Sequence, residues 1–219
     1  AEYRWSFVGS DVDKLSLQSA SRIVRANSFP IELRLQAQGR SILRGAMRDA
    51  DALFAFTMCN PPFYRSADEA AAASERKWRG LANAKARRRA AGNSLPYRGR
   101  RQMDGTRSGE DSDAASRGDG SRSFGGSQSE LWCEGGERGF VGKHIRQSAE
   151  LPRAALWFTS LVSAESSMPR LHAELDALGS VRRVETLELA TGNKQSRVLA
   201  WSFHSDGERR SRLRSLFDS

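Results

Sequence analysis

Two consecutive prolines, Pro61 and Pro62, stand just after an almost wholly apolar segment, residues 52–59. Neither can donate a backbone hydrogen bond, so regular structure must stop there. A short apolar run that ends so abruptly reads as a strand covered on both faces, as in a parallel sheet flanked by helices. The sequence around it supplies such helices. Residues 3–10 alternate as a strand and end in Asp11-Val12-Asp13, after which Leu15, Ala20, Ile23 and Val24 recur at helical spacing up to Asn27. Residues 31–35 alternate strictly and predict a second strand, followed by a short helix or loop around 40–48.

Beyond the prolines, residues 67–91 are rich in Ala, Glu, Lys and Arg and are expected to be helical in part. From 83 to 122 the composition shifts to Gly, Ser and ten basic residues against five acids, a segment predicted to be disordered in isolation. Ser127, with Glu130 three residues later, forms a capping box for a helix running to about residue 150. A buried strand over 154–162, a helix over 169–178 ended by Gly179, and a strand over 181–189 follow. A tight turn at 191–194 leads into a last strand, 196–204. These final strands lie too close for a helical crossover and should pair antiparallel. The fold class is therefore α/β, with an antiparallel last strand.

The formal charge of +9 and a pI near 10.3 point to a polyanionic partner, nucleic acid ahead of an acidic membrane surface. Two cysteines, Cys59 and Cys133, make neither a metal-ligand cluster nor a disulfide framework, and suggest buried thiols in a reducing compartment. No apolar run approaches the roughly 18 to 20 residues that span a bilayer, and no basic-then-apolar signal opens the chain, so the sequence predicts a soluble protein. Residue 1 is Ala, already close to a strand, which leads us to expect a fragment or truncated gene model.

The chemistry centres on Asn60-Pro61-Pro62-Phe63. An Asn amide oxygen and a proline carbonyl are both acceptors, and can hold the two hydrogens of an exocyclic amine while Phe63 stacks on the ring. Such bonds favour the attacking geometry at a nitrogen whose lone pair is otherwise delocalised, and stabilise the charge developing on it. The bland alternative is a strand stopped by prolines. Asp11 ends a strand before a helix, where doubly wound folds place a carboxylate on ribose hydroxyls and where a plain helix cap also sits. Arg87, Arg88 and Arg89 open the basic segment and are candidate RNA contacts, the alternative being an inert linker. Lys194 and Arg197 in the terminal hairpin are further phosphate candidates, alongside Gln195. Glu134-Gly135-Gly136-Glu137 is expected to interrupt a helix, for close approach to substrate or for tight packing. His144, His172 and His204 have no ligand or triad spacing, and no metal site is expected.

Four blocks carry a resemblance: residues 56–63 (Phe-Thr-Met-Cys-Asn-Pro-Pro-Phe), 130–139 (Glu-Leu-Trp-Cys-Glu-Gly-Gly-Glu-Arg-Gly), 156–163 (Leu-Trp-Phe-Thr-Ser-Leu-Val-Ser) and 194–203 (Lys-Gln-Ser-Arg-Val-Leu-Ala-Trp-Ser-Phe). In this order they resemble the RNA adenine-N6 methyltransferases, a family that includes the bacterial 23S ribosomal RNA enzyme and the eukaryotic U6 small nuclear RNA enzyme. The resemblance implies a Rossmann-like methyltransferase sheet, S-adenosylmethionine as donor, and a structured RNA whose target adenosine is flipped into the pocket. By position it implies donor-ribose binding by Asp11, with Asn60 also near the donor. It further implies amine recognition by Asn60 and Pro61, with Pro62 stiffening the turn, and base stacking by Phe63.

The family's strand order is 3-2-1-4-5-7-6, and its first strand and glycine-rich cofactor turn precede anything seen here. The expectation is a sheet lacking its centre, and weak S-adenosylmethionine binding by these 219 residues alone. The organisation expected is 1–64 and 124–219 as the two parts of a methyltransferase domain, with 65–123 a basic, largely disordered substrate loop. Rival readings are a non-catalytic RNA-binding protein of the same fold, or a methyltransferase acting on protein glutamine or DNA adenine. The long low-complexity insert and the Ala-Trp-Ser-Phe ending lean toward a eukaryotic, nuclear protein, with cytoplasm as the alternative.

Overall fold

The computed structural model describes residues 5–36, 41–49, 51–90, 132–191 and 194–217. Strand β1 (Phe7–Asp11), helix α1 (Lys14–Ala26) and strand β2 (Ile31–Leu35) form a parallel unit, in which Phe7 pairs with Ile31 and Asp11 with Leu35. Asp13 starts α1: its carboxylate accepts from the Leu15 and Ser16 amides at 3.0 and 3.1 Å. Asn27 closes the helix, donating from Nδ2 to the Ile23 carbonyl at 2.9 Å.

A second, four-stranded sheet has the order β3-β4-β6-β5, built from Phe54–Phe56, Ala155–Val162, Lys194–Ser202 and Arg183–Thr191. Strands β3 and β4 are parallel, whereas β6 is antiparallel to both its neighbours, as the short connection required. Set against the order 3-2-1-4-5-7-6, the two sheets supply 3-2 and 4-5-7-6. Among the described residues, no strand is hydrogen-bonded between β1 and β3.

The core lies between the larger sheet and two helices, α3 (Gly136–Glu150) and α4 (Met168–Ala177). Phe158, Trp201, Val141, Ile145, Leu171 and Leu175 are fully buried there. The Trp201 and Phe158 rings stack with centroids 6.1 Å apart, and the Trp201 indole donates to Ser148 Oγ at 2.8 Å. Ser148 in turn donates to the Ile145 carbonyl at 2.7 Å, so the buried indole and hydroxyl are both satisfied. His144 packs edge-on against Trp201, and among the described residues neither of its ring nitrogens has a partner. Burial pushes its pKa down to about 4.

Arg34, on β2, is almost wholly buried and ties residues 41–51 to the smaller sheet. Its guanidinium donates twice to Glu32, twice to Asp51 and once to the Ala46 carbonyl, at 2.7 to 2.8 Å. All five guanidinium hydrogens are thereby used. These carboxylates hold Arg34 firmly protonated, and Arg34 holds both Asp51 and Glu32 below the usual carboxylate range.

Several expectations need correction. The apolar run 52–59 is a strand only over Phe54–Phe56, because Thr57 and Cys59 turn to side-chain and isolated backbone bonds with β4. Of the short helix or loop expected around 40–48, the loop is what residues 41–49 form. The basic stretch expected to be disordered from 83 is helical through Ala90, in helix α2 (Ala67–Ala90), since Ala, Lys and Arg all favour helix. The helix expected from Ser127 begins instead at Gly136. Ser127 and Glu130 lie outside the described residues, and the left-handed Gly135 (φ 80°) forms the helix start. Thus Gly135 and Gly136 do not interrupt a helix; they turn the chain into one. Finally, the chain forms a helix that sequence reading omitted, α5 (Asp206–Phe217), while β6 ends at Ser202 rather than at 204.

Candidate active site

Asn60 leaves β3 at its C-terminal end, alongside β4. The Leu161 amide donates to the Cys59 carbonyl at 2.8 Å, and Thr159 donates twice to Thr57, from its hydroxyl to the carbonyl at 2.6 Å and from its amide to the hydroxyl oxygen at 3.1 Å. The residue before Asn60 is thereby held by a neighbouring strand. Pro61 is fully buried, whereas Asn60 is exposed and Phe63 is 40% exposed. One proline anchors the turn in the protein while the amide and the aromatic ring on either side of it remain open. Beside Asn60, burial raises the Cys59 thiol to about 11, so it stays protonated near neutral pH.

Asp11 ends β1 and, with Asn60 and Pro62, lines one cavity of about 2410 Å³ that also takes in Phe7, Val8 and Phe54–Phe56. That is well above the roughly 300 to 1,000 Å³ of a small-ligand pocket, so it is an open cleft between the two sheets. The cap question is resolved by geometry: Asp13 is the N-cap of α1. Asp11 Oδ1 accepts from the Asp13 amide at 2.8 Å, which fixes the carboxylate of this cleft-lining residue and leaves Oδ2 without a bond among the described residues.

The turn is backed by a segment that sequence reading placed elsewhere. Tyr64 bridges in parallel to Trp132, and the Cys133 amide donates to the Tyr64 carbonyl at 3.0 Å. Gly136 then packs so closely that a Cβ there would lie 2.9 Å from Arg65 Cγ and 3.6 Å from the Phe63 carbonyl oxygen. Its φ of 61° independently favours glycine. The buried Glu137 carboxylate accepts from the Ala164 amide at 3.1 Å, from the Ser163 amide at 2.7 Å, and from the Ser163 hydroxyl. Gly-Gly-Glu thus joins the motif turn to the exit of β4. Of the two alternatives for these glycines, tight packing is the one realised. The pattern Gly-Gly-Glu was visible in the sequence, but nothing local reported that its glutamate reaches residues 163–164.

The other candidates lie on other elements. Arg87, Arg88 and Arg89 lie in the last turns of α2. Lys194 begins β6, while Arg197 is a largely buried strand residue, paired with Glu165 at 2.9 Å rather than exposed in a turn. Among the described residues no group of three His, Cys, Asp or Glu is placed to hold a metal ion, and no helix is long and apolar enough to cross a membrane.

A mixed sheet with parallel β3 and β4, an antiparallel β6 and β5, and an Asn-Pro-Pro-Phe turn at the end of β3 defines the α/β methyltransferase class. A family model described as RNA methyltransferase matches residues 1–205, and the chain belongs to that family. Among curated proteins it is 40% identical over 211 residues to the ribosomal RNA large subunit methyltransferase F of Pseudomonas entomophila (strain L48), covering 95% of this chain and 57% of that protein. It is 40% identical over 204 residues to the protein of the same name from Shewanella loihica, 45% of whose length is covered. The chain therefore spans about half the length of the curated relatives it matches. Among solved structures, the hMettl16 catalytic domain in complex with MAT2A 3'UTR hairpin 1 aligns with a TM-score of 0.61 at 24% identity, over 92% of this chain and 57% of that one. The N-terminal domain of human METTL16 in complex with SAH aligns at 0.55 and 20% identity, over 92% of this chain and 53% of that one. These likenesses establish the fold. The curated relatives named here are bacterial, and they lend no support to the nuclear location expected from sequence.

Proposed function

We propose that the protein methylates the N6 amine of an adenosine in structured RNA, with S-adenosylmethionine as the donor. The observation that carries this reading is the opening of Asn60 and Asp11 onto one cleft, from the ends of β3 and β1. When bound, S-adenosylmethionine supplies an electrophilic methyl group. The residues present fit its ribose side, since the carboxylate of the cleft-lining Asp11 is an acceptor fixed by its bond to the Asp13 amide. On the acceptor side, the Asn60 amide oxygen and the Pro61 carbonyl would take the two N6 hydrogens, and Phe63 would cover the adenine face. Pro62, without an N–H, keeps the turn stiff. No strong base is required, because the methylated exocyclic ammonium at N6 is acidic and gives its proton to water. The names of the bacterial relatives support large-subunit ribosomal RNA as the substrate class, and cytoplasm as the compartment. Arg87, Arg88, Arg89 and Lys194 remain candidate RNA contacts. Arg197 is better read as a partner of Glu165 that shapes the exit of β4.

The test is transfer of labelled methyl groups to ribosomal RNA by a full-length form of the protein, one that spans the length of its curated relatives, followed by nucleoside analysis. N6-methyladenosine is the expected product, and Asn60→Ala should abolish transfer with RNA affinity nearly unchanged. Near-normal turnover in that variant, or a methyl group on another atom, would overturn the assignment.

A further inference from the structure

Next to the motif turn stands an indole that the proposed methyl transfer does not use. The Trp132 backbone is fixed by its parallel bridge to Tyr64, and the chain beyond is fixed by the Gly136 amide donating to the Cys133 carbonyl at 2.8 Å. Its side chain is not packed away. Trp132 is 37% exposed, in contrast to the fully buried Trp201. It lines the same cleft as Met58, Asn60 and Pro62, and Met58 is 80% exposed. Phe63, three residues after Asn60, is also exposed, though it is not among the residues that line the cleft. Leaving an indole face in water forgoes its burial energy unless a partner covers it.

The partner chemistry is constrained by the setting. A face beside an amine-recognising amide, on a chain of net charge +9, suits a flat aromatic group carried on a polyanion. We propose that Trp132, which shares the cleft with the exposed Met58, forms a stacking subsite for a nucleobase neighbouring the one seated at Asn60 in the RNA. This rests on the reading of the protein as an RNA methyltransferase. Because Trp132 is bridged to Tyr64, directly after Phe63, the two aromatic residues would hold successive bases, and the second would fix the strand while the first is presented for reaction.

The test is fluorescence anisotropy with a fluorescein-labelled nonanucleotide, one adenosine flanked on each side by four uridines, and a second version whose uridines next to the adenosine are abasic. Trp132→Ala should weaken binding of the first RNA about tenfold or more, by the ordinary worth of one base on one aromatic ring. Trp132→Phe should retain most of the affinity, which guards against misfolding as the cause. On the abasic RNA, wild type and Trp132→Ala should bind alike. Equal affinity of wild type and Trp132→Ala for the first RNA would overturn the subsite, as would an undiminished loss on the abasic one or failure of the wild type to bind either. None of these outcomes depends on methyl transfer, so the subsite and the catalytic assignment fail separately.

Discussion

Replacing Glu137 by alanine should weaken the fold by about 3 kcal/mol. The figure follows from three donors converging on the Glu137 carboxylate: the Ser163 amide, the Ser163 hydroxyl and the Ala164 amide. A bond to a charged acceptor is worth about 1.5 to 3 kcal/mol where both groups are cut off from water. Glu137 is only 5% exposed, but Ser163 and Ala164 are exposed and their freed N–H groups would be rehydrated. Discounting each bond to about 1 kcal/mol gives the total. For a chain of this size that lowers the melting temperature by about 6 to 12 °C, at about 2 to 4 °C per kcal/mol. Glu137→Gln keeps one acceptor and turns an amide N–H toward a donor, so it should cost about half as much. Calorimetric or circular-dichroism melting measures the shift, and hydrogen exchange should find the Ser163 and Ala164 amides deprotected in both variants. A melting temperature within about 1 °C of wild type, with those amides still protected, would show that the joint between α3 and the β4 exit does not hold the fold.

Acid should expose the cost of His144. Burial keeps its folded pKa at about 4, whereas the unfolded imidazole titrates near 6.5, so the unfolded chain binds the extra proton as pH falls through that window. Its stability contribution is complete above pH 6.5 and declines toward pH 4, by about 2 kcal/mol at pH 5. His144→Leu should remove that slope, and unfolding free energies of both proteins at pH 7.5 and 5 decide it; parallel pH profiles would contradict the assignment. Neutralising Arg87, Arg88 and Arg89 together should weaken RNA binding and flatten its dependence on salt by up to about 2 to 3 in logarithmic slope, as expected if each meets a phosphate. An unaltered slope in filter binding would remove them from the interface.

The parts of the fold set by local rules were legible in the sequence. Period-2 alternation placed β2 at residues 31–35, and close spacing made β5 and β6 antiparallel. A capping box near the C-terminus escaped the sequence pattern: the Ser205 amide donates to Glu208 Oε2 at 2.7 Å, and the Glu208 amide to Ser205 Oγ at 3.4 Å. The missed helix, α5, starts there. Its apolar residues, Leu213, Leu216 and Phe217, are exposed and lack the regular stripe that marks a core helix. At the cleft, the places of Asn60 and Asp11 were legible because both stand at or just past strand ends that local pattern marks. Glu137 and Trp132 were not, because each acquires its place through a contact far along the chain, to Ser163 and Tyr64 respectively. Arg34 was equally hidden, since a basic residue in an alternating strand reads as solvent-facing until its five donors are followed to their acceptors.

The ties between the stretches before residue 90 and after residue 132 also bear on how the chain could be assembled. β3 pairs with β4, the Ile42 and Leu43 amides both donate to Gln147 Oε1, and Leu43 enters the core built otherwise from the later stretch. Such contacts need proximity more than a covalent connection. The two stretches made as separate polypeptides should therefore recognise each other and reconstitute one core, so that mixing them restores the pairing of β3 with β4.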